Sequence, residues 1–160
     1  MRPSPSSLIA TWFYAGKLRP APGTWGSLAA IPFALPIAWY GGFWALLAGS
    51  LAVFALGVWA SQQHALSLGR ADPGEVVVDE VAGQWLTLAP LCLDWRLWTL
   101  AFFVFRAMDI VKPWPCSWCD RHLKGGLGIM LDDLMAGLYA ALVCALLGWW
   151  LWDLRCLPWI

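Results

Sequence analysis

The chain alternates long apolar blocks with short polar segments. No Asp, Glu, Lys or Arg occurs between Arg19 and Arg70, and Leu28–Ala60 is almost wholly apolar. That stretch exceeds the ~20 residues needed for one untilted membrane crossing. Pro32 and Pro36 interrupt its first part and Gly41-Gly42 its middle. The pattern predicts two helices, about 27–40 and 43–62, joined at Tyr40-Gly41-Gly42, with the first short and only partly embedded. A second block, Val81–Phe105, is broken by Asp94-Trp95-Arg96, with Pro90 just before. A single span there would hold an Asp–Arg pair in lipid, which is costly. A helical hairpin turning at 93–96 avoids this and is the favoured reading. Its arms are short, so the charged segments beyond them are expected to continue as helix. The third block, Leu134–Trp152, suits one span, with Trp149, Trp150 and Trp152 at its interfacial end.

These blocks predict an all-α, polytopic helical membrane protein with helical hairpins and polar catalytic segments on one face. The 160 residues show no repeat and no linker, so one domain is expected over 1–160. With blocks one and two as hairpins, segments 1–26, 63–80 and 106–133 share a face. They carry Arg2, Lys17, Arg19, Arg70, Arg106, Lys112, Arg121 and Lys124, eight of the ten basic residues, leaving Arg96 and Arg155 opposite. The positive-inside rule makes that face cytoplasmic.

Composition agrees. Apolar residues are 61% and charged residues 12% of the chain, where soluble domains carry roughly a quarter charged. The 14 Trp suit bilayer interfaces. Net charge is zero, which gives nucleic acid no electrostatic foothold. The first residues show no secretory signal pattern, so the spans are expected to be permanent. Five Cys, an odd number, argue weakly against a disulfide framework.

Three acidic clusters could carry chemistry. The first is Asp79-Glu80, after Val76-Val77-Val78. In the second, Arg106, Asp109 and Lys112 stand at i, i+3 and i+6 on one helical face, ahead of Pro113 and Pro115. A solvated ion ladder is the plain alternative for them. The third joins Lys124-Gly125-Gly126-x-Gly128 to Asp132-Asp133. The aspartates could simply favour a helix N-terminus. The glycines could instead let backbone N–H groups approach a phosphate, with Lys124 adding charge. Asp79, Glu80, Asp109, Asp132 and Asp133 are hard oxygen donors suited to Mg²⁺. Such an ion neutralises phosphate oxygens and acidifies an attacking water, while Arg106, Lys112 and Lys124 could steady the transferring group.

Other phosphatase chemistries fit poorly. No Asp-x-Asp pair is present, and Arg121 follows Cys116 by five residues, one short of the cysteine-phosphatase spacing. Cys116-x-x-Cys119-x-x-His122 lacks a second Cys pair for structural zinc. His64 is expected at a membrane edge without a chemical role.

Four segments together resemble the phosphatidylglycerophosphatase A family. They are Pro22-Gly-Thr-Trp-Gly-Ser27, Asp79-Glu80-x-x-Gly83, Phe105-Arg106-x-x-Asp109-x-x-Lys112-Pro-x-Pro115 and Lys124-Gly-Gly-x-Gly-Ile-Met-x-Asp132-Asp133-x-x-Ala-Gly137. The resemblance covers roughly 11–137. It implies a multi-pass bacterial inner-membrane enzyme that uses Mg²⁺ to hydrolyse phosphatidylglycerophosphate to phosphatidylglycerol, with its active site facing the cytoplasm. It makes Asp79, Glu80, Asp109, Asp132 and Asp133 catalytic candidates. Asp79, Glu80, Asp132 and Asp133 become metal ligands, and Thr24, Arg106, Lys112 and Lys124 phosphate contacts. Which carboxylate is the base stays open. Two alternatives are a CDP-alcohol phosphotransferase, whose compact Asp-Gly, Ala-Arg and Asp signature is absent here, and a non-enzymatic membrane scaffold.

Overall fold

The computed structural model describes residues 4–152, with side chains described through residue 150. Its regular structure is entirely helical among the described residues. Helix α1 (Pro5–Ala10) and a 3₁₀ turn (Ala15–Lys17) precede α2 (Pro22–Leu68). Then come α3 (Val78–Leu88), α4 (Trp95–Val111), the short α5 (Cys116–His122) and α6 (Gly125–Trp152).

Helix α2 is two arms. Gly42 breaks it at φ 55°, ψ −147°, a conformation that costs a residue with a Cβ far more than glycine. The arms fold back on each other. Gly26 packs on Val77 and Gly57 on Val78, while Trp85 donates to the Ala30 carbonyl at 2.9 Å and lies against Gly49. Residues 26 and 57 therefore share one depth, and 30 and 49 another. The predicted joint at 40–42 is correct. The first arm is longer than expected, because helix begins at Pro22 and continues through Pro32 and Pro36. Its 20 residues extend about 30 Å, enough to cross a hydrocarbon core. Both α2 and α6 are long and apolar enough to span a membrane.

The second block is a hairpin, but its turn lies at 89–94 rather than 93–96. Asp94 caps α4 by accepting from the Arg96 and Leu97 N–H groups, at 2.8 and 3.4 Å. Its carboxylate also pairs with the Arg96 guanidinium at 2.8 Å, which holds its pKa down at about 2. The pair that marked the hairpin turn in the sequence is thus the cap that starts α4. Helix α3, with 11 residues, is about 16 Å long and too short to cross.

Helix α4 runs antiparallel to α6. Leu97 meets Gly148, Phe105 packs with Ala136 and Ala140, and Lys112 reaches Asp132 at 2.6 Å. The polar ends of α2, α3, α4 and α6 converge on one face, as the topology required. Exposed Trp39, Trp44, Trp95, Trp149 and Trp150 lie toward the opposite end, and exposed Trp25 and Trp114 toward the polar one. That arrangement fits two interfacial belts, and the chain is a membrane protein. Arg2, Arg155, Cys156 and the side chain of Trp152 lie outside what is described.

Two expectations are corrected. His64 is buried and pairs with Glu75 at 2.7 Å, tying the 69–77 loop to α2. Cys92, in the far turn, is disulfide-bonded, whereas Cys116, Cys119 and Cys144 are free.

Candidate active site

Helix packing places the site. Gly83 and Gly137 let α3 and α6 touch: a Cβ on Gly137 would sit 2.5 Å from the Gly83 carbonyl oxygen, and one on Gly83 2.6 Å from that of Asp133. Thr87 donates to both the Gly83 and Gly137 carbonyls, at 2.8 and 3.2 Å. This contact lies one turn below Glu80 and Asp133 and sets their separation. Asp79, Glu80 and Asp133 consequently each bring a carboxylate oxygen within 4.8 Å of one another.

The remaining candidates surround this triad. Arg106 pairs with Asp109 at 2.8 Å, approaches Glu80 at 3.7 Å and donates to the Ser27 hydroxyl at 3.4 Å. Ser27 in turn donates to the Gly23 carbonyl at 3.0 Å. A Cβ on Gly23 would lie 2.2 Å from a Glu80 oxygen, so this glycine admits the carboxylate. Lys112 bridges Asp132 at 2.6 Å and Asp120 at 2.7 Å.

A cavity of about 400 Å³ opens above the cluster. Asp72, Asp79, Glu80, Asp109, Asp120, Asp132 and Asp133 line it, with Lys112, Arg121 and Lys124. Seven carboxylates thus meet three cations. Thr24 and Arg106 are not among the lining residues. Arg106 lies beneath, ordering carboxylates and meeting α2 at Gly23 and Ser27, and Thr24 is the residue that follows Gly23. Sequence reading left Gly23, Ser27 and Arg121 without assigned roles, although the first two fall inside a quoted motif.

The glycine-rich segment differs from its expected form. Gly125, at φ 72°, begins α6, and Gly126 and Gly128 lie inside the helix. A Cβ on Gly126 would be 1.9 Å from the Val58 carbonyl oxygen, and its N–H donates to Gln62 at 2.7 Å. These glycines serve close packing more than a phosphate-wrapping loop. Asp132 and Asp133 consequently stand two turns inside α6, so favourable placement at a helix end does not account for them.

Burial makes the site electrostatically demanding. Asp79 and Glu80 occupy the first turn of α3, outside the spanning segments. Burial pushes the Asp79 carboxyl well above its ordinary range, and the neighbouring Glu80 and Asp132 add to this. Burial likewise raises Glu80 to about 8, against opposing help from Asp79 and Arg106. For Lys112, burial lowers proton affinity, but hydrogen bonds to Asp120 and Asp132 outweigh it and raise its pKa. One oxygen each of Asp79, Glu80 and Asp132 is buried without a hydrogen-bond partner. Unpaired buried acceptors are costly. Clustered hard oxygens with this excess of negative charge fit a divalent cation such as Mg²⁺.

Comparison with known proteins supplies the family. A phosphatidylglycerophosphatase A from Escherichia coli (strain K12) is 41% identical over 152 residues, covering 91% of this chain and 84% of the relative. One from Haemophilus influenzae is 36% identical over 149 residues, covering 92% and 91%. A Bacteroides thetaiotaomicron protein provisionally named phosphatidylinositol-3-phosphatase is 37% identical over 149 residues, covering 89% and 92%. No solved structure matches the chain. The family profile for phosphatidylglycerophosphatase A matches residues 8–148, a stretch that holds every carboxylate of the cavity, and the chain belongs to that family.

Proposed function

We propose that this protein is a Mg²⁺-dependent phosphatase that hydrolyses phosphatidylglycerophosphate to phosphatidylglycerol and inorganic phosphate. The observation that carries the reading is the cavity of seven carboxylates and three cations, with three carboxylates each holding an unpartnered buried oxygen. A phosphate monoester is repelled by such a site unless divalent charge enters with it.

Asp79, Glu80 and Asp133 would hold the ion, with Asp132 beside them. When bound there, Mg²⁺ supplies charge neutralisation at the phosphate oxygens and acidifies water. Lys112, Arg121 and Lys124 face the cavity and can hold anionic oxygens of the substrate. Arg106 fixes Asp109 and Glu80 from below, and Lys112 fixes Asp132. Their function is preorganisation: these carboxylates do not reorient as substrate arrives. Hydrolysis forms a bond from water oxygen to phosphorus and breaks the bond to the glycerol oxygen, which leaves as the alcohol after taking a proton.

We place the site on the cytoplasmic side of a bacterial inner membrane. Lys17, Arg19, Arg70, Arg106, Lys112, Arg121 and Lys124 gather at this end. The disulfide at Cys92 is at the other end, while Cys116 and Cys119 near the site are free thiols. Disulfides persist in oxidising compartments such as the periplasm.

The test is phosphate release by purified protein in detergent, with phosphatidylglycerophosphate and phosphatidylinositol 3-phosphate as separate substrates. Release from the first with Mg²⁺ is expected, and Asp133→Asn or Asp79→Asn abolishes it. Full activity in EDTA would sink the metal dependence. Preference for the inositol lipid would move the substrate assignment toward the Bacteroides relative.

A further inference from the structure

A second cavity, of about 600 Å³, lies between the first arm of α2 and α4. Leu28, Ile31 and Leu35 form one wall, and Thr99, Phe102 and Phe103 the other. Trp39 and Trp95 line its far end. The volume lies within the ~300–1,000 Å³ typical of ligand pockets.

Its walls lead to the polar site. On α2 the groove positions 39, 35, 31 and 28 step by three or four residues, and the next step is Thr24. On α4 the positions 95, 99 and 102 continue to Arg106 and then Asp109. Residues spaced this way share one helical face. Leu28 directly follows Ser27, which accepts from Arg106 at 3.4 Å, and Arg106 pairs with Asp109 at 2.8 Å. Asp109 lines the carboxylate cavity. The apolar groove and the polar cavity therefore meet at Thr24, Ser27 and Arg106.

Depth agrees as well. Gly23 is level with Glu80, so the groove begins at Leu28 about 7 Å deeper. From Leu28 to Trp39, at the opposite interfacial belt, it runs about 16 Å, a length close to the ~15 Å of a single tail in a ~30 Å two-leaflet hydrocarbon core. A glycerol ester fits the upper interval and an extended hydrocarbon tail fits the groove. Leu28, Leu35 and Phe103 remain roughly half exposed or more within it, so they can contact a ligand entering sideways from the bilayer.

We infer that this groove between α2 and α4 binds one acyl chain of the lipid substrate and positions its headgroup over the carboxylate cavity. The inference rests on the lipid phosphatase reading above. The groove acts as a ruler: a bulky residue partway down obstructs long chains more than short ones.

The experiment compares phosphatidylglycerophosphate carrying two oleoyl chains with the same lipid carrying two octanoyl chains, in identical mixed micelles. Leu35→Trp should raise KM for the oleoyl lipid about tenfold more than for the octanoyl lipid. That is the loss expected when roughly two methylenes lose burial. Leu51→Trp, on the exposed second arm of α2 and outside the groove, should leave both substrates as they were. Equal KM changes for both chain lengths with Leu35→Trp, or no change for either, overturn the groove. Photolabelling with a diazirine-tailed phosphatidylglycerophosphate separates this from failure of the enzymatic reading. Adducts concentrated on Ile31, Phe102 or Phe103 support the groove even without hydrolysis. Adducts scattered over all lipid-facing helices refute it.

Discussion

Gly137→Ala tests how helix packing sets the catalytic geometry. The nearest atoms to the added methyl are the Gly83 carbonyl oxygen at 2.5 Å, its Cα at 2.9 Å and its carbonyl carbon at 3.0 Å. All are backbone, so no flexible side chain can move aside. Ordinary contact begins near 3.4 Å, and α3 and α6 must part by about 0.9 Å. Asp133 lies one turn from Gly137 on α6, and Glu80 one turn from Gly83 on α3. The shift is thus passed to the triad of Asp79, Glu80 and Asp133. Misplacement by ~1 Å at a reacting centre costs about 100-fold in rate, or ~2.7 kcal/mol of activation free energy. Overpacking a tight contact also destabilises by ~1–3 kcal/mol, so stability and activity must be measured separately. The assay is kcat/KM for phosphate release at saturating Mg²⁺, normalised to folded protein by thermal melting in detergent. Activity per folded molecule should fall about 100-fold, and half-saturation should need more Mg²⁺. Wild-type kcat/KM and Mg²⁺ affinity in a variant that merely melts earlier would refute the claim that this contact spaces the carboxylates.

Two further outcomes follow from the charges. Lys112→Met removes the cation between Asp120 and Asp132, and kcat/KM should drop about 100-fold. Because the cluster becomes more negative, half-saturation by Mg²⁺ should shift to lower concentration; unchanged turnover with weaker Mg²⁺ binding would contradict the assigned role. Without metal, pH should act through Asp79 and Glu80. Burial raises both, Glu80 from 4.5 to about 8, so the folded protein holds protons that the unfolded chain releases. That contribution is fully present below the unfolded value and is lost as pH rises through the folded one. The melting temperature in EDTA should therefore decline between about pH 4.5 and pH 8, and added Mg²⁺ should restore most of it at the upper end. A metal-free melting temperature that rises over this interval would show that the carboxylates are not buried as described.

Much of the architecture is legible in the chain because a bilayer simplifies the problem. Apolar run length and charge-free stretches report spans directly. The break at 40–42, the hairpin in the second block and the clustering of basic residues at one end could all be read this way. Turn position was less visible: the charges suggest a turn at 93–96, but Asp94 caps the start of α4, so the turn lies at 89–94. The residue types at the site were equally legible, since acidic groups beside apolar spans are rare and costly.

Tertiary structure alone decided which of them meet. Asp79, Glu80 and Asp133 converge through a glycine contact whose closeness depends on two helices packing. Arg106 and Lys112 share a helical face, yet one lies beneath the carboxylates and the other between two of them. Periodicity specifies the face of a helix but not the depth of its neighbours. The same limit hid the pairing of His64 with Glu75 and the continuation of the α2–α4 groove into the site, because each depends on distances between segments far apart in the chain.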